Sequence, residues 1–169
     1  MGYPMAGHLV NAGHDVHVYN RTKVKSEKWA TEYAGIVHET AYSAADGCDF
    51  VFTCVGNDQD VKEVLNGPTG AIDSLSEGAV IVDHTTASVT LAKELANTCA
   101  ERNIGFIDAP ISGGQSGAEQ GTLSIMCGGE SDYYEKVQPV MEAYGKTMTL
   151  IGPSGSGQFT KMVNQILCA

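Results

Sequence analysis

Two short stretches carry the side chains best suited to chemistry. In Asp108-Ala109-Pro110-Ile111-Ser112-Gly113-Gly114 a hydroxyl stands beside two glycines, whose bare backbone presents N–H groups that can hold a carboxylate. In Lys161-Met162-Val163-Asn164 an amine and an amide are separated by one helical turn, so both fall on one face of a helix. A lysine placed in this way can take or give a proton in a reaction. Each feature also has a plain structural reading: small residues make tight turns, and an isolated helical lysine is commonly solvated.

Such residues need a scaffold, and the rest of the sequence describes one. Short β-rich runs at 16–19, 50–55, 79–82, 104–107, 123–127 and 147–151 alternate with helical stretches at 22–34, 58–65, 88–101 and 131–144. Several runs are nearly all apolar, as parallel strands covered on both faces are. Ser88 is placed to cap the helix that carries Leu91, Leu95 and Cys99. The order predicts an α/β fold with a doubly wound, mostly parallel sheet. A glycine-rich segment, Gly152-Pro153-Ser154-Gly155-Ser156-Gly157, follows the last strand and introduces a final helix expected to run to Ala169.

Composition narrows the function classes. The chain has 169 residues, 43% of them hydrophobic, enough for one sizeable core. A net charge of −10 argues against a basic face for nucleic acid or anionic lipid. Cys48, Cys54, Cys99, Cys127 and Cys168 form no C-x-x-C pair and have no closely spaced histidine, so they read as thiols in a reducing compartment, with neither zinc nor disulfides. No run is long enough to span a membrane and the opening residues show no basic leader, which makes the cytoplasm the expected location.

Two glycine loops have spacings to be weighed against phosphate binding. Residues 2–14 read as a helix after a nucleotide loop, with Pro4 tolerated in its first turn. Of the three glycines of G-x-G-x-x-G, only the third, Gly2, is in this sequence, and no strand precedes it here. The later loop has the G-x-x-x-x-G spacing of a triphosphate loop. Gln158-Phe159 follow, where such a loop needs lysine and then serine or threonine, which argues against a kinase or ATPase.

Taken together, Gly2-x-x-Met5-Ala6, Ala12-Gly13-His14-x-Val16-x-Val18, Asn20-Arg21-Thr22, residues 108–114, Gly121-Thr122-Leu123 and Gly157-Gln158-x-x-Lys161-x-x-Asn164 resemble the β-hydroxyacid dehydrogenases. These include 3-hydroxyisobutyrate dehydrogenase and tartronate semialdehyde reductase. The resemblance covers essentially the whole chain in order and spacing. It implies that 1–152 is a Rossmann-like NAD(P)-binding domain lacking its first strand. Residues 153–169 would be a glycine-rich loop and the start of an interdomain helix leading to an all-helical domain outside this sequence.

Residue roles follow from the same resemblance. Gly2 would border the cofactor pyrophosphate, with Met5 on the same helix, although a simple helix-start glycine is the alternative. Asn20, Arg21 and Thr22 would face the adenosine ribose, where an acidic residue usually grips the 2′-hydroxyl of NAD; arginine there favours NADP, with NAD as the alternative. Cys54, Val55, Gly56 and Thr86, at carboxyl ends of strands, would follow the rest of the cofactor. The family usually shows Ser-Thr with a proline three residues on, whereas this chain has Thr85-Thr86 and Val89. Ser112, Gly113 and Gly114 would bind the carboxylate of a small substrate, Lys161 would be the acid/base, and Asn164 would orient the substrate.

The implied reaction is hydride transfer between NADP(H) and a small β-hydroxyacid or its semialdehyde or keto form. As a base, Lys161 needs its neutral form, which burial or a positive nicotinamide would favour. Asp108 is expected to organise the loop ahead of Ser112, and His84 to be a polar surface residue. A homo-oligomer is expected at full length, and the segment alone is expected to carry a gap at the sheet centre and an exposed apolar helix. The alternative is a non-catalytic dinucleotide-binding or interaction domain on the same fold. Lys161 argues against it, since a relative without catalysis has little need for that lysine.

Overall fold

The computed structural model describes residues 1–167. In chain order the elements are α1 (Gly2–Asn11), β1 (His17–Val18), α2 (Lys23–Glu32), β2 (Ile36–Val37), α3 (Ala41–Ala45), β3 (Phe50–Thr53), α4 (Asp58–Asn66), a 3-10 turn (Ala71–Ser74), β4 (Val80–Asp83) and α5 (Val89–Ala100). There follow β5 (Gly105–Asp108), β6 (Ile111–Ser112), α6 (Gly114–Gln120), β7 (Leu123–Gly128), α7 (Ser131–Met141), β8 (Gly145–Gly152) and α8 (Ser156–Leu167). Cys168, Ala169 and the expected end of the last helix lie outside the described residues.

Strands β3, β4 and β5 run parallel and in step, so Thr53, Asp83 and Asp108 end level with one another. Strand β7 pairs antiparallel with β5 and β6 and parallel with β8. The alternation of a pleated strand divides β4 between two cores. Val80 and Val82 pack on the face with Met5, Leu9, Trp29, Val137 and Met141, while Ile81 packs with Val61, Leu65, Leu91 and Leu95. Helices therefore cover both faces, and the expected doubly wound, mostly parallel α/β sheet is the architecture observed.

Local chemistry explains where elements begin and end. The Ser88 hydroxyl accepts from Leu91 N at 3.1 Å, the cap read from the sequence, and it also donates to Asp58 Oδ2 at 2.6 Å. Two strands are shorter than their apolar runs: 16–19 pairs only over His17–Val18, and 50–55 only over Phe50–Thr53. Cys54 and Val55 leave the ladder, and Val55 N donates to Thr85 Oγ1 at 3.1 Å. Run 123–127, read as a strand, is β7, with antiparallel neighbours on one side because the chain reverses through Pro110 and β6. The two-residue strands β2 and β6 and the short helices α3 and α6 carry too little periodicity to be read locally.

The described strands form two sheets, with β1–β2 separate from the six-stranded one. A cavity of about 910 Å³ is lined by Val18 from the first with Val16 just before it, by Phe50 and Phe52 from the second, and by Met5 and Leu9 from α1. The four described cysteines are free thiols, and burial pushes Cys99 and Cys127 up to about 12.

His84, expected at the surface, is 2% exposed. It follows β4 directly and is enclosed by Phe52 and Tyr144. A carbonyl can only accept, so Nδ1–H donates to Ala109 O at 2.7 Å, which leaves Nε2 to accept from the Tyr144 hydroxyl at 2.8 Å. Burial pushes its pKa down to about 4 although the carbonyl favours the charged form. The folded value lies below the unfolded one, so stability from neutral His84 is complete above the unfolded pKa near 6.5 and is lost as pH falls toward 4. Urea denaturation at about pH 7 and about pH 4.5 checks this: relative to a His84→Gln variant, the wild type should lose about 2–3 kcal/mol over that interval. Parallel curves for the two proteins would show that the ring does not resist protonation.

Candidate active site

In an open α/β sheet ligands collect beyond the carboxyl ends of the strands. Here the ends of β3, β4 and β5 are tied by polar side chains. Buried Asp83 accepts from Thr53 Oγ1 at 2.8 Å and from Thr85 N at 3.0 Å. Burial raises its pKa, and these donors oppose the rise. Because the Thr85 hydroxyl also receives Val55 N, the loops after β3 and β4 are fixed relative to each other.

Asp108 performs the corresponding task for α8. Its carboxylate accepts from Gly155 N at 2.7 Å and from Gln158 N at 2.9 Å, capping that helix from the end of β5. The expectation that Asp108 organises the loop ahead of Ser112 is therefore corrected: its oxygens turn toward the free N–H groups of a helix start, where negative charge is favoured. Burial lifts its pKa to about 6, against the pull of the two donors. An added Cβ on Gly157 would collide with the carbonyl oxygens of Met126 and Asp108, so only glycine lets α8 lie this close to β5 and β7. The phosphate-loop spacing of 152–157 thus serves an internal anion.

Gln158, present in the glycine–lysine motif but given no role from sequence, is 1% exposed. Its Nε2 donates to Thr85 O at 2.7 Å and its Oε1 accepts from Ala87 N at 3.0 Å. The signal was a polar side chain next to the glycine that opens a helix, but its partners lie more than seventy residues away and nothing local names them. Asp108 and Gln158 together fix the first turn of α8, and Lys161 follows on the next turn, 8% exposed. Among the described residues no ion pair involves Lys161.

The structure gathers most of the sequence-predicted site. A cleft of about 500 Å³ is lined by Cys54, Val55, Gly56, Thr86, Ser112, Gly113, Gly114 and Lys161. Gly113 and Gly114 have φ of 130° and 62°, a pairing that L side chains resist, so the loop is built for glycine. Asn164 lies one turn beyond Lys161, half-buried, outside the lining of this cleft, and Gln165 lines it in its place. Gly2, Met5, Asn20, Arg21 and Thr22 line the 910 Å³ cavity, which shares Cys54, Val55 and Gly56 with the cleft. Gly2 opens α1 against Cys54: a Cβ there would touch the Cys54 Cβ at 3.4 Å. Asn20 Oδ1 accepts from Thr22 N at 2.8 Å, shaping the turn that presents Arg21. Among the described residues no group of three or more His, Cys, Asp or Glu could hold a metal, and no helix is long and apolar enough to cross a membrane.

Comparison with known proteins agrees with this geometry. Residues 1–152 match the family described as the NAD binding domain of 6-phosphogluconate dehydrogenase. An uncharacterized oxidoreductase of Shewanella frigidimarina is 52% identical over all of this chain and 58% of its own length. The 2-hydroxy-3-oxopropionate reductase of Escherichia coli K12 is 39% identical over all of this chain and 57% of its own. Among solved structures, Mycobacterium tuberculosis 3-hydroxyisobutyrate dehydrogenase with L-serine superposes with a TM-score of 0.92 at 29% identity, over 99% of this chain and 56% of that one. Psf3 in complex with NADP+ and 2-OPP superposes at 0.93 with 25% identity, over 99% and 59%. The chain therefore spans somewhat over half the length of these relatives. With its strand-end loops, its glycine-opened first helix and its lysine-bearing last helix, the chain belongs to the family of the 6-phosphogluconate dehydrogenase NAD-binding domain, whose members include 3-hydroxyisobutyrate dehydrogenases and 2-hydroxy-3-oxopropionate (tartronate semialdehyde) reductases.

Proposed function

We propose that this chain is the dinucleotide-binding part of an NADP-preferring dehydrogenase of small β-hydroxyacids. The observation that carries the reading is the single cleft in which Lys161 meets Ser112, Gly113, Gly114 and the strand-end loops, beside the larger cavity lined by Gly2 and Arg21. Only the polar part of that lining suits a dinucleotide: α1 begins there with Gly2, which has no Cβ, and Asn20, Arg21 and Thr22 stand in the same lining. Psf3, bound to NADP+, supports the choice of nucleotide, as does the arginine at the place where NAD usually meets an acid.

In this reading a dinucleotide held by Gly2, Arg21 and the loop Cys54-Val55-Gly56 would supply or accept the hydride at the carbon bearing the substrate oxygen. Lys161 takes the hydroxyl proton during oxidation and returns one during reduction. Ser112 Oγ and the N–H groups of Gly113 and Gly114 hold the substrate carboxylate, which fixes the reacting carbon relative to Lys161. Asn164 is assigned to the substrate as well, engaged once substrate and the remainder of a full-length enzyme are in place. Exposed Phe159, Ile166 and Leu167 on α8 give a helical domain, and the subunit contacts of a homo-oligomer, an apolar surface to pack against.

Replacing Lys161 with alanine in the dehydrogenase that carries this segment should lower kcat by about 10²–10⁴-fold with the Kd for NADPH unchanged. Activity close to wild type would remove Lys161 from the proton transfer, and unaltered cofactor binding with no turnover in the wild type would favour the non-catalytic reading. Ser112→Ala should raise KM for short β-hydroxyacids about tenfold while kcat changes little, since the hydroxyl binds ground and transition states alike. Steady-state comparison of NADPH with NADH reads the cofactor assignment directly, and a clear preference for NADH would overturn the role given to Arg21.

A further inference from the structure

The cavity assigned to the nucleotide holds a carboxylate in contact with Arg21. Arg21 Nη1 donates to Asp60 Oδ1 at 2.7 Å, with the arginine side chain 71% exposed and the aspartate 19%. The other Asp60 oxygen accepts from Asn57 Nδ2 at 3.3 Å, and Asn57 Oδ1 in turn accepts from Asp60 N at 3.0 Å as the cap of α4. The carboxylate is thus held by its own helix start, while the guanidinium sits on a solvated, flexible stem. Arg21 and Asp60 both line the cavity, together with Lys25 and with the carboxylates of Asp15, Asp49 and Glu63.

These charges act differently on the two dinucleotides. A 2′-phosphate approaching Arg21 must take the guanidinium from Asp60 and then meet the charge of Asp60 itself. A 2′-hydroxyl finds in Asp60 a ready acceptor for a charge-assisted hydrogen bond. In dinucleotide folds that acceptor stands directly after the strand that precedes the ribose, a place taken here by Asn20-Arg21-Thr22. Asp60 comes from 39 residues further along, at the start of α4, and reaches the same cavity.

We propose that Asp60 is a specificity-determining residue that weakens selection for the 2′-phosphate and gives the cavity the capacity to accept both NAD and NADP. Arg21 exchanges partners, pairing with Asp60 when the ribose carries a hydroxyl and with the phosphate when it carries one. This rests on the dinucleotide reading of the cavity.

Calorimetric binding of 2′,5′-ADP and 5′-ADP to the full chain isolates the question from catalysis. Asp60→Asn should tighten 2′,5′-ADP about five- to tenfold and weaken 5′-ADP about two- to threefold, and Asp60→Ser should act in the same direction. The gain should shrink as salt is raised from about 0.05 M to about 0.5 M, because a phosphate–carboxylate repulsion is screened. Combining either change with Arg21→Ala should abolish the gain. Unchanged preference in both Asp60 variants, with Arg21→Ala still weakening 2′,5′-ADP, overturns the role of Asp60 and leaves the nucleotide cavity standing. If Arg21→Ala alters neither ligand, or if neither binds the wild type, the dinucleotide reading falls and the proposal with it.

Discussion

The buried carboxylate of Asp108 is the contact on which the geometry of the cleft depends. It lies at the end of β5, level with the ends of β3 and β4, and takes two N–H groups from the start of α8. Burying a carboxylate is unfavourable unless its oxygens are satisfied, so the fold holds this charge only while the helix start stays in place. The same cost makes the arrangement specific: a shift of α8 along the sheet would strand the charge. Gly157 admits the close approach, and Gln158 adds two hydrogen bonds to the loop after β4.

Around that contact the polar groups form a connected set. Thr53, Asp83, Thr85 and Val55 link the first two strand ends, Gln158 links Thr85 to α8, and Asp108 links α8 to the third. His84 ties the end of β4 to Ala109 and Tyr144. In a low-dielectric interior such bonds are strong when complete and costly when broken, so the network behaves as a unit. The cleft walls are therefore rigid, and a helix carrying Lys161 is set against a loop carrying Ser112 without direct contact between the two segments being required. Rigid positioning of this kind is what proton transfer at a fixed carbon needs.

The two cavities share the loop Cys54-Val55-Gly56, so the place assigned to substrate adjoins the place assigned to cofactor. Apolar surface is left on α8, where Ile166 and Leu167 are more than three-quarters exposed. Relatives almost twice as long have further chain to lay against such a face. In the proposed reading, selection among substrates would fall to the longer protein, while the cavity assigned to the nucleotide and the helix assigned to proton transfer lie in this segment.

Much of this was legible in the residues themselves. Alternating apolar runs give the sheet and its covering helices because burial of period-2 and period-3.6 patterns is a local property of the chain. Ser88 announces its helix for the same reason: its cap bond is to a residue three positions away. The glycine pair 113–114 and Lys161 were singled out by type and spacing, and they line one cleft, while Asn164 lies outside that lining. What the chain could not disclose were the long-range pairings. His84 looked like a surface residue because nothing beside it in sequence reveals Tyr144 sixty positions on. Asp108 looked like part of its own loop, although its partners begin 47 positions later, and Arg21 gave no sign of Asp60. The sequence by itself determined the types of the longer elements, the fold class and the identity of the chemical groups, since those depend on local periodicity and side-chain chemistry. Only the tertiary structure decided which buried charge meets which donor, because burial and hydrogen-bond satisfaction are set by residues that the fold, and nothing in their order, brings together.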